Sequence, residues 1–131
     1  SLEDLENIEN SKNLAKKLAK KYKTIVAITG KVDVISDGTN AVSIENESDD
    51  LQKITGTGCM CTSLVASFCG ANKEMIFEAT VLGVLTMALN GELASISSND
   101  KGLGTFHKEL FNKISKFDRA ILLSKAKINL I

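Results

Sequence analysis

Apolar and polar positions alternate along this chain in three distinct rhythms. Near the start, Leu14, Leu18 and Tyr22 recur every four residues, with Lys12, Lys16, Lys20 and Lys23 turned away from them. That spacing predicts an amphipathic helix over 11–23 with Ser11 as its N-cap, behind an acidic, helix-like stretch over 1–10. Residues 24–29, Thr-Ile-Val-Ala-Ile-Thr, form a continuous β-branched run. Such a run reads as a central strand covered on both faces, the second half of an α/β unit, ending at Thr29-Gly30. Residues 32–36 and 40–45 then alternate around Asp37-Gly38, the signature of an antiparallel hairpin beside that strand.

The later rhythm is helical. Residues 51–54 read as a short strand end leading into Gly56-Thr57-Gly58-Cys59. A helix over 57–69 follows, apolar nearly all round and so expected to be buried, with Gly70 as its left-handed cap. Residues 73–95 predict a second long helix with Phe77, Val81, Val84, Leu85 and Ala88 inward. After a polar loop over 97–104, a third helix over 105–117 turns Phe106, Leu110, Phe111, Ile114 and Phe117 inward. Asp118 caps a last helix over 119–128.

The chain has 131 residues, long enough for a real core and fitting one domain or a piece of one. Lys plus Arg balance Asp plus Glu at 16 each, so nothing calls for nucleic acid or an acidic membrane surface. No signal peptide or uninterrupted apolar run of spanning length is visible, which gives a soluble, cytoplasmic expectation. There is no proline, and the first residue is Ser, not Met, suggesting a chain cut from something longer. The three cysteines, Cys59, Cys61 and Cys69, share one predicted helix. Residues two apart on a helix diverge by about 200° around its axis, so Cys59 and Cys61 do not share a metal or a disulfide.

The chemistry concentrates at the glycine turn. Gly56 and Gly58 let backbone approach a ligand without a side chain between. The helix start then aims free N–H groups and a positive dipole end at that ligand, and a phosphate is the natural occupant. A tight turn that merely packs closely is the plainer alternative. Cys59 sits in the first turn, where the dipole favours negative charge, although a free cysteine is also ordinary packing material. Ligands collect at the carboxyl ends of strands in open α/β sheets, which makes the Thr29 hydroxyl a contact candidate, beside the alternative of satisfying its own turn. The lysine face, the acidic loop over 46–50, the glycines of the 97–104 loop and the single histidine, His107, read as solvated or packing features.

Two stretches then resemble a family: Val26-Ala27-Ile28-Thr29-Gly30-Lys31-Val32-Asp33-Val34-Ile35-Ser36-Asp37-Gly38, and Lys53-Ile54-Thr55-Gly56-Thr57-Gly58-Cys59-Met60. Together they look like the carboxyl-terminal half of hydroxyethylthiazole kinase, a thiamine-salvage enzyme of the ribokinase-like superfamily. Asp100-Lys101-Gly102-Leu103-Gly104-Thr105-Phe106 is similar to a third family stretch, with Leu103 and Thr105 as departures. The cysteine is the specific mark, since most ribokinase relatives carry aspartate there. The resemblance implies a partial ribokinase-like layered α/β fold over 1–131, with a mostly parallel sheet, an antiparallel hairpin and helices packed around it. It implies ATP-dependent phosphorylation of the hydroxyl of 4-methyl-5-(2-hydroxyethyl)thiazole, with Mg2+. By this likeness Gly56, Thr57, Gly58 and Cys59 form an anion hole, Cys59 takes the place of the catalytic base, Gly56 contacts the thiazole alcohol, and Thr29 and Gly30 meet ATP. Metal ligands and much of the thiazole pocket belong to an absent amino-terminal half, and the complete family protein is a homotrimer. Two other readings stay open: a kinase for another small alcohol, and a non-catalytic nucleotide-binding or assembly module.

Overall fold

The computed structural model describes all 131 residues. In chain order they form α1 (Leu2–Tyr22), β1 (Val26–Ile28), β2 (Asp33–Ser36), β3 (Ala41–Ile44), a 3-10 turn (Leu51–Lys53), α2 (Thr57–Ala71), α3 (Ile76–Ser97), α4 (Leu103–Ser115), α5 (Arg119–Lys125) and β4 (Ile128–Leu130).

The sheet corrects the sequence expectation most clearly. It is antiparallel throughout, in the order β1-β2-β3-β4, and not mostly parallel. Only residues 29–32 separate β1 from β2, too few for the crossover a parallel pair requires. Val26 therefore pairs with Ser36 and Ile28 with Val34. The run over 24–29 is not a central strand: β1 is an edge, and Ala27 is exposed. The Asp-Gly hairpin forms as expected, with Ser36 opposite Ala41 and Asp33 opposite Ile44. The Asp37 carboxylate accepts the N–H groups of Thr39 and Asn40, which closes the turn. On the far side β4 pairs with β3, Ile128 opposite Ile44. Residues 119–128 are thus not one helix, although Asp118 does cap α5 by accepting the Ile121 N–H.

All residues of β2 and β3 are buried, so the inner strands are covered on both faces. Alternation places Asp33, Ile35, Val42 and Ile44 on one side, where the last three pack with Val84, Leu85, Ala88 and Leu89 of α3. α1 covers the other side through Ala15 and Ala19. Small residues suffice there because α1 comes close: a Cβ on Gly38 would stand 3.3 Å from the Lys20 nitrogen. Leu14 and Tyr22, expected inward, are exposed, and α1 runs unbroken from a Ser1–Asp4 capping box through Ser11. A second core joins α3 to α4 through Met87, Ala94, Phe106 and Leu110. Phe111 stays half exposed and meets the edge of His107.

α3 is long and apolar enough to span a membrane by length and composition alone. Twelve of its residues are buried against the sheet, α2 and α4, so it is the core helix of this fold. α2 reverses another expectation. None of its residues is fully buried, and Gly58, Cys59, Thr62, Ser63, Ala66 and Ser67 form an exposed face. Its inner side touches α3 closely: a Cβ built on Gly83 would lie 2.6 Å from the Val65 Cα. Gly70 sits inside α2 and does not cap it. Asn72 closes the helix through its own N–H to Cys69. Residues 51–54, expected as a strand end, wind into the 3-10 turn.

Candidate functional site

The start of α2 is built by a backbone conformation that favours glycine. Gly56 is the N-cap with φ 94° and ψ −4°, a left-handed geometry that strains any residue bearing a Cβ. The Thr57 hydroxyl donates to the Leu51 carbonyl at 2.9 Å and ties the helix start to the 3-10 turn. The first closing hydrogen bond runs from the Met60 N–H to the Gly56 carbonyl at 2.9 Å. The amides of Thr57, Gly58 and Cys59 therefore have no partner within the helix. Beyond their chain neighbours and the helix's own backbone, no atom lies within 4 Å of a Cβ placed on Gly56 or Gly58, so the space beside these two glycines is open.

Beside that helix start lies a cleft of about 380 Å³. Thr29 and Gly30 reach it from the end of β1, Thr57 and Gly58 from α2, and Val84 and Met87 of α3 form its apolar wall. The structure thus brings four of the six expected site residues to one cavity. Gly56 and Cys59 do not line it. Both are exposed, and the Cys59 carbonyl accepts the Ser63 hydroxyl. Gly102 and Gly104 lie elsewhere, at the start of α4.

Asp33, Cys61 and Asn46 also line this cleft, and the sequence assigned none of them a role in the site. Asp33 opens β2 on the α3 side of the sheet, is 7% exposed, and accepts the Gly30 N–H at 2.9 Å. Burial pushes its carboxyl up to about 6, against the pull of that one amide. Burial, and then the Asp33 charge, push the Cys61 thiol up as well. Asn46 fixes the loop after β3. Its amide donates to Glu92 at 2.7 Å and to the Lys125 carbonyl at 3.0 Å, and its oxygen accepts the Lys127 N–H at 2.9 Å. The available signal for Asp33 was its place: a carboxylate heading a strand that is otherwise Val-Ile-Ser. The acidic loop over 46–50 is also tied down at Asp50, which accepts from Lys53 nearby and from Ser95 of α3. No three His, Cys, Asp or Glu side chains converge as metal ligands.

An α/β chain with open amides at a helix start beside a strand-end cleft belongs to a known class of fold. It superposes on the structure of a hydroxyethylthiazole kinase protein from Pyrococcus horikoshii OT3 with a TM-score of 0.87 and 28% identity, covering 99% of this chain and 50% of that one. The chain belongs to the hydroxyethylthiazole kinase family, whose family model matches residues 3–120. It is 48% identical over 116 residues to the hydroxyethylthiazole kinase of Ruminiclostridium cellulolyticum, covering 88% of this chain and 42% of that protein. It is 42% identical over 123 residues to the enzyme of the same name from Clostridioides difficile, covering 94% of this chain and 46% of that protein. The chain therefore spans less than half the length of these curated relatives.

Proposed function

We propose that this chain is the carboxyl-terminal portion of a cytoplasmic kinase that transfers phosphate from ATP to the hydroxyl of 4-methyl-5-(2-hydroxyethyl)thiazole in thiamine salvage. The observation that carries this reading is the start of α2, where three amides without helical partners open beside a cleft that Thr29 and Gly30 also line. Phosphoryl transfer passes through a loose transition state, so positioned donors and charge stabilisation supply most of the catalysis. Amides at a helix start are suited to that work, since they need no reorganisation as charge builds.

In this reading Gly56, Thr57, Gly58 and Cys59 form the anion hole, and Thr29 and Gly30 hold ATP. Gly56 also meets the thiazole alcohol, and Cys59 accepts the alcohol proton late in the transfer. Cys59 is exposed in this chain, which leaves room for a substrate to reach it. A thiol is a poorer general base than a positioned carboxylate, so turnover is expected to be slow. In this reading the Mg2+ ligands belong to the rest of the protein. The exposed face of α2 and the free edge of β1 are the surfaces that remainder would cover, and the complete protein would be a homotrimer.

The test is phosphorylation of the thiazole alcohol by ATP, followed by product mass. The chain alone should show none, and the chain mixed with a polypeptide corresponding to the rest of its relatives should show product. A mixture that binds nucleotide yet forms no product would favour the second reading, a non-catalytic nucleotide-binding module. The observation on that side is the chain's span of less than half its relatives' length.

A further inference from the structure

Asp33 is unusual for where it stands. It occupies a buried strand position opposite Ile44, on the face that packs against α3, where an apolar residue would serve the core better. A carboxylate taken out of water without a countercharge is costly. The charged and titratable groups around the cleft are Lys31 on its own loop, Glu47 and Asp49 on the loop after β3, and Cys61 on α2; α3 presents only Val84, Met87 and Ala88. Lys31, the one cation among them, bridges to Asp4 at 3.6 Å instead. The single hydrogen bond the carboxylate makes is the one from the Gly30 N–H.

Gly30 has little else to hold it. It is exposed, and a Cβ built on it would meet only the Val32 carbonyl, at 3.9 Å. Packing therefore does not define the turn that presents Thr29 and Gly30 to the cleft.

We propose that Asp33 is a positioning residue for nucleotide binding: its carboxylate anchors the Gly30 amide and so holds the 29–32 turn in the shape that receives the ligand. This rests on the reading of the cleft as a nucleotide site. The carboxylate acts through the loop and does not touch the ligand. A hydrogen bond to an ionised group is stronger than a neutral one, which suits a single tie to an otherwise unpacked turn.

The test is calorimetric titration of the full chain and two variants with ADP, with circular dichroism to show that each variant is folded. Asp33→Ala removes the anchor and should raise the ADP dissociation constant about tenfold or more. Asp33→Asn keeps an acceptor oxygen within reach of the Gly30 amide and should restore binding to within about threefold of wild type. Wild-type binding by Asp33→Ala would overturn the proposal. Tighter binding by Asp33→Asn than by wild type would also overturn it, because the carboxylate would then act on the ligand through its charge. In the wild-type chain the Gly30 amide resonance should titrate with the Asp33 carboxyl near pH 6, and an amide that ignores that titration contradicts the tie. No response of the wild-type chain to ADP would instead overturn the nucleotide-site reading, and this inference with it.

Discussion

Replacing Gly83 by alanine tests whether the placement of α2 depends on one close helix contact. Gly83 lies in α3 and faces Val65 of α2. A Cβ there would stand 2.6 Å from the Val65 Cα, 2.8 Å from its Cγ2 and 2.9 Å from its nitrogen. Carbon atoms in contact prefer about 3.5–4.0 Å, so α2 must withdraw by about 1 Å. Two of the three clashing atoms are backbone, so no rotamer change relieves the overlap. Overpacking of this kind costs about 1–3 kcal/mol. Against it stands the helix preference of alanine over glycine, about 1 kcal/mol. The clash should win, because two of its atoms are backbone and cannot rotate away, with a net loss of up to about 2 kcal/mol. Gly70→Ala is the matched control: Gly70 lies inside α2 with no atom within 4 Å of its added Cβ, so this change should be neutral or stabilising by up to about 1 kcal/mol. Equilibrium urea unfolding of the three proteins reads the difference. A Gly83→Ala chain as stable as wild type, or more so, would refute the contact and its role in the placement of α2.

Other outcomes follow from the cleft. Burial raises the Asp33 carboxyl from its usual 3.8 to about 6, so between those values the folded chain holds a proton that the unfolded chain has released. The Asp33 contribution to stability is therefore greatest below 3.8 and is lost as pH rises through 6, by at most about 3 kcal/mol. Asp33→Asn should gain stability relative to wild type across that window, and a difference that stays flat from about pH 4 to pH 7 in urea unfolding contradicts it. Asn46→Ala removes three hydrogen bonds and strands the Lys127 amide, for a loss of about 2–4 kcal/mol, with faster hydrogen exchange at Lys127 as the check. In the reconstituted enzyme, Cys59→Asp should keep or raise turnover, since a positioned carboxylate is a sufficient base. A folded Cys59→Asp protein with no activity would argue against a base at that position.

How much was legible varied with the range of the interactions involved. The Asp37-Gly38 hairpin, the Asp118 cap and the Gly56 turn are set by neighbours in sequence, and all three could be read directly. The pairing of β4 could not. Ile128–Leu130 is a three-residue strand whose register comes from Ile44 and Val42, far back in the chain. β1 misled because its apolar run matches a buried parallel strand, while the short 29–32 loop forces an antiparallel partner. α2 misled differently. Its outward positions are Gly, Cys, Thr, Ser and Ala, too small and weakly polar to mark a face, so a half-exposed helix read as a buried one. At the site, the glycines and Thr29 announced themselves by residue type. Asp33 did not, because its importance lies in being a charge inside a sheet, and burial is visible only once β2 is packed against α3.

The central claim is that the cleft between the end of β1 and the start of α2 receives a phosphate-bearing nucleotide. The most direct measurement is the amide resonance map of the isotopically labelled chain during titration with ADP. Shifts concentrated at Thr29, Gly30, Thr57 and Gly58 are the expected result. A silent map, or one whose shifts fall on α1 or α4 while these four amides stay fixed, would contradict it.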